Sequence, residues 1–194
     1  MTNNSSNPAS QTGGKIPVQV LTKMALCLAL MCVSAYIVIP IPFTPAMITA
    51  QTIIVNLIAL LLNPAQSAIV MGVYILMGIC GLPIFSGGTS GIGRILGPTG
   101  GFIIGFLIAA VLISLLKGKT NNVGRYILVT ICVGMPVIYF FGTISMCIFN
   151  SMDVRAALLA AVVPFLVGDV AKCVAAALLA TGLNRILVKA RLAV

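Results

Sequence analysis

The sequence predicts an all-α integral membrane protein with six transmembrane helices and both termini in the cytoplasm. Three observations lead there: the composition, the spacing of the apolar runs, and the placement of Lys and Arg. Hydrophobic residues make up 60% of the 194 residues and charged residues only 7%. The mean hydropathy is +1.20. A soluble domain covers its surface with roughly 25% charged residues, so most of this surface must face lipid.

The apolar runs set the elements in order. Residues 1–18 are polar, rich in Asn, Ser and Gly, and read as a flexible cytoplasmic tail with no cleavage site after the first apolar run. Residues 19–194 then read as one membrane domain. The first run, about 20–39, ends at Pro40, Pro42 and Pro45. The second, about 48–62, ends at Asn63-Pro64, and the third, about 65–80, ends at Gly81 and Pro83. These two are short and share a tight turn, which predicts a helical hairpin. The fourth run, about 97–116, stops at Lys117-Gly118-Lys119, and the fifth covers about 126–149. The sixth, about 158–188, carries Pro164 and Gly168 in its first part, which predicts an irregular or reentrant beginning. Runs one, four and five fit the ~20 helical residues that a bilayer core needs.

The basic residues orient these spans. With the N-terminus inside, Lys15, Lys23, Lys117, Lys119, Arg125, Arg185, Lys189 and Arg191 are cytoplasmic. Only Arg94 and Arg155 fall outside, and Lys172 lies within the last span. This is the positive-inside pattern. It also accounts for the net charge of +9 without nucleic acid, because no aromatic residue interleaves with a basic run.

The composition excludes most catalysis. There is no His, and the two acidic residues are Asp153 and Asp169. A His-based triad, a His metal site and a paired-carboxylate site all lack their parts. The chain is therefore expected to be no enzyme and to hold no metal or cofactor. Cys27, Cys32, Cys80, Cys132, Cys147 and Cys173 are scattered through apolar runs with no CxxC pair, as packed thiols are. Gly118-Lys119-Thr120 ends like a phosphate-binding loop, but position 113 is Ile113 rather than Gly. No internal repeat of the kind common in self-sufficient carriers is evident.

Four constellations remain. Asp169 and Lys172 lie three apart, on one helical face, at the outer end of the last span. Charges at membrane depth are costly and usually face a cavity and mark a site; the alternative is a structural ion pair that ties helices together. Between Gly81 and Gly101 runs a Gly-dense loop whose open N–H groups allow close approach of a ligand, with Arg94 able to grip a carboxylate. An ordinary flexible turn has the same composition. Ala25 and Ala29, at i and i+4 in the first span, let another helix pack closely. Finally, Pro40, Pro42 and Pro45 stiffen the first outer loop as a lid would, with Thr49 and the hydrogen-bonding Gln51 just beyond it.

Taken together, these residues resemble the BioY family, the substrate-binding (S) subunits of energy-coupling-factor biotin transporters. The motifs that carry the resemblance are Ile39-Pro40-Ile41-Pro42 with Gln51-Thr52, Gly81-Leu82-Pro83-Ile84-Phe85-Ser86-Gly87-Gly88, Gly97-Pro98-Thr99-Gly100-Gly101-Phe102, and Pro164-Phe165 with Gly168-Asp169 and Lys172. The match runs from about Ala25 to the end of the sixth span.

The resemblance implies high-affinity biotin uptake across the cytoplasmic membrane through an outward-facing pocket under the outer loops. It implies that Ala25 and Ala29 dock on a transmembrane coupling (T) subunit, with two ATPase subunits supplying energy. A homo-oligomer is compatible with it. Asp169 would accept N–H bonds from the ureido ring, and Lys172 would donate to the ureido carbonyl or to the carboxylate. Arg94 is the other candidate for the carboxylate. Gln51 and Gly88 belong to the expected site, with Tyr74, Phe85 and Tyr139 as apolar walls. The rival readings are an S subunit for another vitamin and a structural membrane subunit without a ligand.

Overall fold

The computed structural model describes residues 17–40 and 46–189. Within them the chain is almost wholly helical. Helix α1 (Val18–Ser34) leads to two short antiparallel strands, β1 (Val38–Ile39) and β2 (Ile48–Thr49), with Val38 opposite Thr49 and Ile39 opposite Ile48. The helical hairpin α2 (Gln51–Leu61) and α3 (Pro64–Ile79) follows, then the single turn α4 (Ile92–Ile95) and α5 (Gly100–Leu116). Helix α6 (Val123–Val129) continues through a π-helical turn, Thr130–Gly134, into α7 (Met135–Asn150). Helices α8 (Val154–Ala161) and α9 (Val163–Lys189) complete the described chain.

Two of these rods are long and apolar enough to cross a membrane: Val123–Asn150, of 28 residues, and Val163–Lys189, of 27. Four shorter apolar helices, α1, α2, α3 and α5, pack with them. The surface is inverted relative to a soluble protein. Leu26, Leu76, Phe140, Leu178 and Ile186 are all exposed, one or more from each of four different rods. Unbroken apolar exposure of this kind suits lipid rather than water.

The sequence turns explain the breaks. Asn63 caps α3: its side chain accepts from the Gln66 N–H at 2.9 Å, while Gln66 Oε1 accepts from the Asn63 N–H at 3.2 Å. Pro64 sits where a helix needs no N–H donor, so the hairpin expected at Asn63-Pro64 forms for a local reason. The sixth run does begin irregularly. It breaks at Val162 into α8 and α9, because Pro164 cannot donate to a preceding turn. The π-helical turn ends two residues before Pro136, where the missing N–H displaces the ladder by a residue. Thr130 Oγ1 donates into the loosened turn, 2.8 Å from the Tyr126 carbonyl.

Helix α2 is the axis of the bundle. It buries Gln51, Thr52 and every residue from Val55 to Leu60, as a helix surrounded by others must. At about 1.5 Å per residue it is roughly half as long as a bilayer core is thick. Its C-terminal carbonyls therefore end inside the protein and need partners. Lys117 supplies them: Nζ donates to the carbonyls of Ala59 and Leu60 at 3.0 Å each and of Leu62 at 2.5 Å, and Ser114 Oγ donates to Leu62 O at 2.6 Å. Arg125 does the same for α5, donating from Nε and a terminal nitrogen to Leu116 O. Two residues expected simply as cytoplasmic positive charges thus also close helix C-termini, where cations are favoured.

The tail expected over 1–18 falls outside the described residues except for Pro17 and Val18, and Val18 already opens α1. The proline-stiffened lid falls on 41–45, also outside them, apart from Pro40.

Helices α5 and α7 approach so closely that Gly101 has no room for a side chain. A Cβ there would lie 2.0 Å from the Phe141 carbonyl oxygen and 2.6 Å from Ser145 Cβ. Gly101→Ala is expected to destabilise the protein by about 3 kcal/mol or more through backbone overlap. Gly182→Ala, where nothing lies within 4 Å, is expected to stay within about 0.5 kcal/mol of the parent. Thermal unfolding in detergent compares the two.

Candidate functional site

A cleft opens at the end of the bundle where the N-termini of α2, α5 and α9 converge. Thr52 is the second residue of α2, Thr99 is the N-cap of α5, and Phe165 lies in the first turn of α9; all three line it. The β-hairpin contributes Ala46, Met47 and Thr49 from one side, and the Gly-rich loop contributes Ser86 from another. The cleft holds about 590 Å³ of space free of atoms, its open mouth included.

The polar centre is Asp169. Its residue is 5% exposed, yet both carboxylate oxygens have donors. Lys172 Nζ donates to Oδ1 at 2.8 Å and the Tyr139 hydroxyl donates to Oδ2 at 2.8 Å. Asp169 and Lys172 are one helical turn apart on α9, so the helix itself sets the ion pair. Tyr139 comes from α7 and ties that helix to α9. Each carboxylate oxygen keeps a further lone pair for a ligand, and Lys172 keeps further protons. All three residues line the cleft.

Arg94, on α4, lines the same cleft. Its side chain has no ion pair or hydrogen bond among the described residues. The neighbouring Thr99 hydroxyl is buried and has no protein partner there either. With Lys172 balanced by Asp169, the described residues of the cleft carry one uncompensated positive charge, and the three helix N-termini add to that polarity. Between the charged ends the walls are apolar: Phe102, Ile103 and Phe106 of α5, Ile138 of α7 and Phe165 of α9.

Of the residues expected from the sequence, Asp169, Lys172, Arg94 and Tyr139 meet at the cleft. Gln51, Tyr74, Phe85 and Gly88 do not line it. Gln51 and Tyr74 are fully buried behind it and hydrogen-bonded to each other. Phe85 packs edge-on against Tyr74, with ring centroids 5.6 Å apart. Gly88 turns the loop with φ +70°, directly after Gly87 at +74°, and a Cβ on it would come within 3.0 Å of the Tyr36 ring. These four shape the wall from behind. Besides Tyr139, three aromatic side chains line the space that were not among the expected site residues, although a signal existed: Phe102 and Phe106 stand one turn apart just after Gly97-Pro98-Thr99-Gly100-Gly101, and Phe165 stands one turn before Asp169. Ala25 and Ala29 lie together on the exposed face of α1, opposite its buried Val20, Met24, Cys27 and Met31.

The family model described as the BioY family matches residues 3–189. The chain belongs to the BioY family. Among BioY relatives, the biotin transporter BioY2 of Lactococcus lactis subsp. cremoris is 34% identical over 169 residues, covering 86% of this chain and 91% of its own. The biotin transporter BioY of Thermotoga maritima is 34% identical over 166 residues, covering 86% and 96%. In three dimensions the chain is similar to the crystal structure, at 2.1 Å, of the S-component for biotin from an ECF-type ABC transporter, with a TM-score of 0.79 and 27% identity over 87% of this chain and 92% of that one. This BioY-family chain thus shares the helical fold of that S-component.

The buried pair generates a stability prediction. Asp169→Asn removes the partner of a part-buried ammonium, and breaking such a pair typically costs about 3–5 kcal/mol. Adding Lys172→Met is expected to recover most of that loss, because no unpaired charge then remains. Thermal unfolding of the single and double variants in detergent reads both values.

Proposed function

We infer that this chain is the substrate-binding subunit of an energy-coupling-factor transporter and takes up biotin. The observation that carries the reading is the polarity of the cleft: a donor–acceptor centre at Asp169, Lys172 and Tyr139, apolar walls, and Arg94 with no partner among the described residues. Biotin presents complementary chemistry, with a ureido group that donates and accepts, an apolar ring and chain, and one carboxylate. Asp169 then accepts from a ureido N–H group, and Lys172 donates to the ureido carbonyl. Arg94 holds the carboxylate through charge-assisted bonds. The net charge of the cleft favours a monoanion over a neutral ligand of the same shape.

The chain is a transport protein and not an enzyme, and biotin is its substrate rather than a cofactor. In this reading six helical segments span the cytoplasmic membrane, with the cleft outward and both termini in the cytoplasm. The support is the basic end of the bundle, where Lys117, Lys119 and Arg125 lie, opposite the cleft end with its helix N-termini. Residues 19–194 act as one unit. Ala25 and Ala29 present a flat apolar patch to which a transmembrane coupling subunit docks, and two ATPase subunits drive the cycle.

Calorimetry on the detergent-purified protein is expected to show one-site binding of biotin and none of riboflavin or thiamine. Binding of another vitamin in its place would make the chain an S subunit for that vitamin, and a folded protein that binds none would point to a structural role. Arg94→Ala is expected to weaken biotin about 10- to 100-fold, the range for a hydrogen bond to a charged group. It should leave biotin methyl ester, which lacks the negative charge, nearly unaffected.

A further inference from the structure

Behind the cleft a chain of buried hydrogen bonds fixes the direction of every proton in it. The Ile84 carbonyl can only accept, so the Tyr74 hydroxyl, 2.9 Å away, donates to it. Tyr74 has then used its single proton and can only accept from Gln51, 2.6 Å away. The Gln51 amide therefore turns its NH₂ toward Tyr74 and its oxygen toward Ser86. An amide oxygen only accepts, so Ser86 Oγ donates to it at 2.6 Å. Gln51 and Tyr74 are fully buried, while Ser86 is half-buried and lines the cleft.

We propose that Ser86 is an obligate hydrogen-bond acceptor for a ligand N–H in the cleft, held in that state by the buried Gln51–Tyr74–Ile84 relay. A serine in water donates or accepts as its neighbour requires. Here its proton is committed away from the cleft, so only lone pairs remain for the ligand. The proposal rests on the biotin reading: a ureido group carries two N–H donors, and Asp169 and Ser86 are both acceptors on the wall of one cleft. Ser86 then sets specificity, because it attracts an N–H and repels an oxygen in its place. Gln51 and Tyr74 are positioning residues that never touch the ligand. This accounts for Gln51 being buried although it sits among the cleft residues in sequence.

The test measures binding of biotin and of its two analogues methylated on one or the other ureido nitrogen, to parent, Ser86→Ala and Tyr74→Phe proteins. The parent is expected to discriminate against both analogues. In Ser86→Ala, biotin affinity is expected to fall about 2- to 10-fold, the range for one neutral hydrogen bond. The affinity for one of the two analogues should stay unchanged, so discrimination at that nitrogen alone collapses. Tyr74→Phe frees the Gln51 amide to turn and is expected to reduce the same discrimination to a smaller extent; it also serves should Ser86→Ala fail to fold. A role in packing alone would weaken all three ligands by one factor, and that outcome in the folded variants overturns the proposal. A parent protein that binds no biotin overturns the functional reading instead, and the proposal falls with it.

Discussion

The carboxylate of Asp169 sits inside an apolar bundle, and the rest of the site is arranged around keeping it there. A lone buried carboxylate would be costly by several kcal/mol, so it must have partners. One comes from its own helix, Lys172, and one from across the helix interface, Tyr139 of α7. The second bond fixes where α7 stands relative to α9. The break at Val162, ahead of Pro164, lets α9 start afresh and direct its first turns, with Phe165 and Asp169 on one side, into the cleft. The Asp169 carboxylate thus shapes both the interface and the cavity.

The same requirement, that every polar group at membrane depth find a partner inside the protein, explains features distant from the cleft. Helix α2 ends within the bundle, so its carbonyls are met by Lys117 and Ser114. The Leu116 carbonyl at the end of α5 is met by Arg125. Asn121 reaches the Thr181 carbonyl, and Asn184 reaches the Tyr126 hydroxyl, so the inner face of α9 is stitched to its neighbours at the basic end as well. A short central helix is workable only because these side chains replace the water its end would otherwise need.

Much of this was legible in the sequence. Apolar runs separated by Pro, Gly and Lys marked the helices, and the capping box at Asn63 had both of its residues in plain view. The Asp169–Lys172 spacing announced a shared face. Depth within the bundle was not legible. Gln51 and Tyr74 have the chemistry of ligand contacts, and nothing in their spacing says that loop 81–91 folds over them, with Ser86 between Gln51 and the cleft. That depends on long-range contacts: the Tyr36 hydroxyl donates to Pro83 O at 2.6 Å and the Gly87 N–H to Ala35 O at 2.9 Å. The split of the sixth run at Val162 was foreseeable from Pro164. The π-helical turn before Pro136 was not, because a proline in a helix is absorbed in several ways and the neighbouring helices select among them.

The cleft divides its labour between charge and direction. Arg94 and the Asp169–Lys172 pair offer charge, which favours a monoanionic ligand but says little about which atoms meet which. Charge acts over several ångströms and tolerates displacement. Direction comes from groups whose protons cannot move: Tyr139, committed to Asp169, and Ser86, committed to Gln51. A hydroxyl with its proton committed distinguishes a donor from an acceptor in a way that a free hydroxyl does not. The buried residues behind the loop therefore bear on selectivity as directly as those on its surface, since removing one restores a choice that the intact relay denies.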